Sequence, residues 1–531
     1  MGGQTVGLKI GVARGSCRAS EWGGMIKCEM VTRIKRLREM VVWLGLVVLG
    51  VTGCRSASGG APVVAIELTP LPTATATATP DPFAPTPLPT RTWAANDPLP
   101  YTTQPGDWLP ALAARFAVSA ETIVTQNPTL VMSEAGLLDP GQLLMIPAQY
   151  LVVNSIAGSP LRLLPDSEYV YGPGTVGWDT AAFLAAQGGW LATHVETADG
   201  ALRPAAEIID RTAVRYSVHP RLLLALIEHQ SGVVTGGQND VAAQTYPLGY
   251  RSVLHAGLYR QLLWAVAILN RGYYGWREGR LVEAELADGR VTRFDPWLNA
   301  GSVGVQVFFA EQLGQADFRV AVGPEGFLAT YRRLFGDPFQ YEVTQFPAGT
   351  QQPELWLPFQ ENVLWSYTGG PHSAWGNELP WSAVDFAPPA VAGGCAYSSE
   401  WVTAMADGVV VRSGENTLML DLDGDGNEAT GWVVFYFHLS GDYVVAEGTT
   451  LRAGEPVGHP SCEGGRATGT HVHVARKFNG EWIAADGMLP FVLSGWRVHS
   501  SGVPYRGRMT FALPAMEIEA CECVYDNSLT R

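Results

Sequence analysis

Apolar and polar positions change their spacing along this chain, and the changes divide it. Residues 101–147 open with a short strand and a Pro105-Gly106-Asp107 turn. An amphipathic helix follows, with Leu109, Leu112, Ala113 and Phe116 on one face. Ser119 is a good N-cap for a second helix running to Gln126, and Leu143 to Ile146 reads as a closing strand. Residues 150–345 are mostly helical in pattern, most clearly from Pro204 to Asp210 and in HPRLLLALIEHQSGVV, His219 to Val234. From residue 355 the period falls to two, as in VVFYFHLS, which predicts strands. The fold class expected is multidomain α+β: a βααβ module, a helical domain and a mostly antiparallel β domain.

Before residue 101 the pattern is neither helix nor strand. Residues 1–29 carry no signal-like feature, and Met30 reads as the better start, so they are expected to be an over-long start. Residues 30–53 have a basic segment (Arg33, Lys35, Arg36, Arg38) and an apolar run from Met40 to Val51. That run is too short to span a bilayer, so a cleaved signal peptide is expected. Val51-Thr52-Gly53-Cys54 resembles a bacterial lipobox, which implies lipidation of Cys54, a lipid anchor to the cell membrane and an extracytoplasmic location. The Pro/Thr-rich stretch within residues 54–99 cannot bury a core and reads as an extended tether.

At 531 residues the chain is too long for one core. Its net charge of −15 comes from interspersed residues with no basic stripe, which argues against a nucleic-acid partner. In an exported chain the remaining four cysteines, Cys395, Cys462, Cys521 and Cys523, are candidates for disulfides.

The βααβ pattern of residues 100–148, with Gln104-Pro105-Gly106-Asp107, Asn127-Pro128 and Ile146-Pro147, resembles a LysM domain. The resemblance implies that the groove between its first helix and its loops binds N-acetylglucosamine-containing glycan. The helix ending Gln230-Ser231-Gly232 resembles that of lysozyme-like transglycosylases, in which a glutamate stands where Gln230 stands here. An amide cannot protonate a glycosidic oxygen, and Glu228 points to another helix face. Residues 150–345 are therefore read as a helical, lysozyme-like domain without its catalytic glutamate, and equally as a helical spacer.

Chemistry concentrates in residues 350–498. His372 and Asp385 lie thirteen residues apart in GGPHSAWGNELPWSAVDFAP, His438 ends an apolar strand, and GTHVHVARK holds His471 and His473. On a strand the last two project to one face. Two imidazoles and a carboxylate hold zinc and leave a position open for water. The set resembles lysostaphin-type and β-lytic metallopeptidases, and the His372-to-Asp385 spacing matches the β-lytic form. It implies that His372, Asp385 and His473 are zinc ligands, with His438 and His471 flanking the site unliganded. His471 is favoured as base and His438 as partner of the oxyanion, and the spacing also allows the reverse.

The function this implies is a zinc-dependent endopeptidase that hydrolyses peptide cross-links or stem peptides of peptidoglycan, targeted by LysM. The alternative is a non-catalytic wall-binding regulator or scaffold of wall hydrolases. A Cys395–Cys462 disulfide is expected to brace the cleft. Asp421 to Asn427 has oxygens at alternate positions, but Trp432 stands where a calcium loop needs its twelfth, acidic ligand, so an acidic hairpin turn is expected. Residues 499–531 are left as a C-terminal tail.

Overall fold

A computed structural model describes residues 97–149, 158–389, 393–522 and 526–531. The export signal, Cys54, the tether and Cys523 lie outside the described residues. Among the described residues no helix is long and apolar enough to cross a membrane.

The first module runs β1 (Pro98–Thr102), α1 (Leu109–Phe116), α2 (Ala120–Gln126) and β2 (Leu143–Pro147), with β1 and β2 paired antiparallel. The Ser119 hydroxyl accepts the Thr122 N–H, which caps α2. Leu109, Leu112, Ala113 and Phe116 turn inward onto Tyr101, Ile123 and Ile146.

Five longer helices organise the next region: α3 (Ala205–Tyr216), α4 (Pro220–Ser231), α5 (Leu258–Arg277), α6 (Ala300–Ala310) and α7 (Phe327–Phe335). Every residue of α6 is buried, as its nearly polar-free sequence requires. It lies against α5 where two glycines meet: a Cβ on Gly272 would come within 2.9 Å of the Gly304 Cα. Helix α4 begins at Pro220, with the His219 ring accepting the Arg221 N–H, and ends at Gly232 in the left-handed region.

The C-terminal part is built on an antiparallel sheet. Its strands are β3 (Trp365–His372), β4 (Ala383–Ala387), β5 (Gly408–Gly414), β6 (Thr417–Asp421), β7 (Trp432–Phe437), β8 (Thr450–Leu451), β9 (Val472–Phe478), β10 (Glu481–Trp482) and β11 (Ser528–Leu529). They lie in the order β8-β5-β6-β7-β9-β4-β3-β11, with β10 paired to β9. The tail is not separate: its strands Gly507–Phe511 and Met516–Glu519 join a four-stranded sheet with Val492–Leu493 and Trp496–Ser500, and β11 closes the edge of the large sheet.

Both faces of the large sheet are buried. Val434 and Tyr436 of β7 face a core shared with Val384, Val472 and Val498. Val433 and Phe435 face the opposite way, into the core of the helical region. The period-two alternation expected for VVFYFHLS is therefore not what the strand shows: WVVFYF is apolar at every position because both of its faces are buried. Lys477 Nζ donates to Val214 O at 3.0 Å, and Trp482 Nε1 donates to Arg215 O at 3.2 Å. Arg277 joins three segments: its Nε meets Glu481 Oε1 at 3.0 Å, Nη2 meets Asp166 Oδ2 at 3.0 Å, and Nη1 donates to Pro105 O at 2.8 Å. Helical region and sheet thus share one core.

Candidate metal centre

The sheet register brings the predicted ligands together. His473 on β9 pairs directly with Asp385 on β4, and Asp385 pairs with Gly369 on β3, three residues before His372. Gly369 is required there, since a Cβ would meet Asp385 Oδ2 at 2.2 Å. His372 Nε2 lies 3.0 Å from His473 Nδ1 and 3.4 Å from Asp385 Oδ1, and His473 Nδ1 lies 3.2 Å from Asp385 Oδ1. A tetrahedron with metal–ligand bonds of about 2.0–2.1 Å has edges of about 3.3 Å, which matches this triangle. All three residues are buried, and Asp385 Oδ1 has no hydrogen-bond partner among the described residues. Two imidazole nitrogens and a carboxylate oxygen converging on one point leave a space that a cation fills. The donor set therefore fits zinc.

The surroundings orient each ring. His372 Nδ1–H donates to Gly370 O at 2.8 Å, which turns Nε2 toward the ligand triangle. Tyr505 stacks on His372 at 4.0 Å. His471 stands one residue before β9, and its Nδ1–H donates to Gly469 O at 2.7 Å. Its Nε2 lies 3.8 Å from Asp385 Oδ1. His438 stands just past the end of β7 in the left-handed backbone region, with φ of 61°. Its Nδ1–H donates to Glu463 O at 2.7 Å, its ring lies against Phe437 at 4.1 Å, and His471 is 4.5 Å away. Nδ1 of both flanking rings is thus engaged, and each Nε2 is left to accept a proton.

Burial works against an ionised Asp385, but the neighbouring imidazoles, His372 and His471 foremost, hold its carboxyl well below the usual range. Burial pushes His473 down to about 4, with His372 and His471 adding to the effect, so its ring is neutral at neutral pH. Burial, then His471 and His473, likewise bring His438 down to about 4.

Cys395 and Cys462 are joined by a disulfide. Cys462 directly precedes Glu463, whose carbonyl holds the His438 ring. Cys521 is also disulfide-bonded. Asp421, Asp423 and Asp425 sit together in the turn between β6 and β7, where Asp421 accepts the N–H groups of Asp423 and Gly426. Glu228 is not free for chemistry: it accepts from Val234 N, Thr235 N, Thr235 Oγ1 and Arg333. The sequence did not point to Tyr505, to Gly369 or to Trp375. Trp375 packs on Phe437 at 5.1 Å beneath the guanidinium of Arg215. Each matters only through a neighbour distant in sequence.

Two family models match the chain. "LasA, N-terminal domain" covers residues 162–349, and "Peptidase family M23" covers residues 384–485. Protease LasA of Pseudomonas aeruginosa is 25% identical over 343 residues, spanning 61% of this chain and 75% of that protein. Beta-lytic metalloendopeptidase of Lysobacter enzymogenes is 28% identical over 158 residues, spanning 28% of this chain and 82% of that one. Among solved structures, the M23 metalloprotease pseudoalterin is 23% identical, covering 35% of this chain and all of its own, with a TM-score of 0.28. The lysostaphin catalytic domain of Staphylococcus simulans is 24% identical, covering 23% of this chain and 90% of its own, with a TM-score of 0.17. With the M23 match and these relatives joined to the His372–Asp385–His473 cluster, the chain is a metalloendopeptidase, and its metal is zinc.

Proposed function

We propose that this chain hydrolyses peptide cross-links or stem peptides of bacterial peptidoglycan while lipid-anchored to the cell membrane through Cys54. The observation that carries the reading is the convergence of His372, Asp385 and His473 beside two further histidines whose Nδ1 atoms are held by backbone carbonyls. His372 Nε2, Asp385 Oδ1 and His473 Nδ1 hold the metal. Zinc held there supplies Lewis acidity to the attacking water and to the scissile carbonyl. His471 Nε2, the nearer to Asp385, takes the proton of the attacking water and delivers it to the leaving amine. His438, neutral at rest, would meet the oxyanion at Nε2 by taking up a proton from solvent as the negative charge develops. The Cys395–Cys462 disulfide steadies the loop that holds the His438 ring. Residues 100–148, folded βααβ, serve as a LysM module that binds N-acetylglucosamine-containing glycan and raises the local concentration of enzyme at the wall.

The test is release of free amines from purified peptidoglycan by residues 55–531, with and without a zinc chelator, beside His473→Ala. Amine release that stops on chelation and is absent from the variant is expected. No release from walls of several cross-link types by the zinc-loaded protein overturns the reading and favours a wall-binding regulator.

A further inference from the structure

Where the βααβ module, the helical region and the peptidase meet, a crevice of about 230 Å³ opens, lined by Trp108, Glu278, Arg280, Asp486, Ser500 and Gly502. The Trp108 indole, which precedes α1, is fixed by donating Nε1–H to Ala135 O at 2.7 Å. Arg280 lies over the Trp381 ring at 4.5 Å, and its Nε meets Glu278 Oε2 at 2.7 Å. Glu278 Oε1 is different. The Glu278 side chain is only 9% exposed, yet this oxygen has no hydrogen-bond partner among the described residues. Asp486 accepts the Ser500 N–H at 2.9 Å on the far wall. A buried carboxylate oxygen left without a donor, in a crevice with an indole wall, asks for a ligand that brings the donor.

We propose that this crevice binds one N-acetylhexosamine unit of a glycan strand, a site distinct from any groove confined to residues 97–149. The proposal rests on the peptidoglycan reading above. A pyranose has an apolar face to lay on Trp108 and hydroxyl and acetamide N–H donors for Glu278 Oε1 and Asp486. Its ring and carbonyl oxygens can accept from the Arg280 guanidinium and the Ser500 hydroxyl. Burial, opposed by Arg280 and assisted by Asp486, raises the Glu278 carboxyl to about 7, so near neutral pH it can accept or donate. Arg280 already balances one of the two carboxylates, which favours a neutral sugar over a primary ammonium. Position supports the same choice. Ser500 and Gly502 line the crevice, and Tyr505, three residues beyond Gly502, stacks on His372. A sugar held here would stand one loop away from the metal centre, where a peptide attached to the same strand is cut.

The experiment is calorimetric titration of the full chain with a peptide-free N-acetylglucosamine tetramer, beside Glu278→Gln and Arg280→Ala. Both residues lie outside the βααβ module, so binding by that module alone would not respond to them. Saturable binding, weakened about tenfold or more in each variant at unchanged melting temperature, is expected. Three results overturn the proposal: no binding, binding that neither variant alters, or displacement of the tetramer by lysine amide, which would mark an amine subsite. No bond is cut in this titration. Loss of amine release with retained sugar binding would therefore defeat the peptidase reading and leave the crevice standing, and the converse holds.

Discussion

Two buried clusters of ionisable side chains invite comparison. In the peptidase, His372, Asp385 and His473 aim three donor atoms at one point, and Asp385 Oδ1 has no hydrogen-bond partner among the described residues. In the helical region, Glu168 is equally buried but complete: Oε1 takes Arg221 Nη2 at 2.8 Å, and Oε2 takes the Tyr331 hydroxyl. Arg221 also donates to Gly174 O at 2.9 Å. Both clusters are desolvated, and both contain groups displaced from their ordinary ionisation. Only in the first do metal-binding donor atoms from three strands converge on one point, and that separates a site from a strut.

The comparison is tested most severely by separating the two regions. A chain trimmed to residues 350–531 would expose Met419, Val433, Phe435 and Trp482, which face the helical core. At about 1.5–3 kcal/mol for each side chain, the loss approaches a whole domain's stability. Such a fragment should show no cooperative melting transition and should aggregate on expression; a soluble fragment with a sharp transition would show that the shared core is dispensable.

Next in size is His473→Ala. Outer-shell partners of a metal ligand typically cost 10–100-fold, so losing a ligand should lower activity by at least about a hundredfold and bound zinc along with it. The melting temperature of the zinc-free protein should barely move, because the cluster is not what holds the sheet together.

Arg221→Leu should do the opposite. It takes from the buried Glu168 its Arg221 partner, leaving a neutral acid short of one hydrogen bond, and should cost about 1–3 kcal/mol in denaturant unfolding. Zinc content per folded molecule should stay as in the parent.

The most gradual effect is a slope. Burial raises Glu168 to about 7 in spite of Arg221 and Tyr331. The unfolded carboxyl titrates near 4.5, so between pH 4.5 and 7 the folded state holds the extra proton. Stability contributed by that proton is present below pH 4.5 and is lost as pH rises to 7, by roughly 3 kcal/mol. Glu168→Gln should flatten this part of the pH–stability curve, whatever it does to absolute stability. A curve of unchanged slope would mean that Glu168 is ionised at little cost.

Much of the metal centre was legible because its parts follow local rules. The His471/His473 spacing sets two rings on one face of a strand, and His438 ends a recognisable apolar strand. Tyr505 was not legible, because nothing in VPYRG marks a ring that stacks on His372 across the sheet edge. The tail also looked separate, although its strands pair into the domain.

The face on which His473 projects continues through Ala475 to Lys477, and the sequence treats the three positions alike. Tertiary structure gathers His473 into a donor cluster by placing Asp385 and His372 beside it, and makes Lys477 a structural donor by laying the carbonyl of Val214 over it. The chain by itself determined element types, the period of each region and the inventory of metal-binding side chains, since these depend on neighbours within a few residues. Which buried polar groups are satisfied and which are left open was decided only by packing. A hydrogen-bond partner can come from any distance along the chain, and no local pattern records where it will arrive.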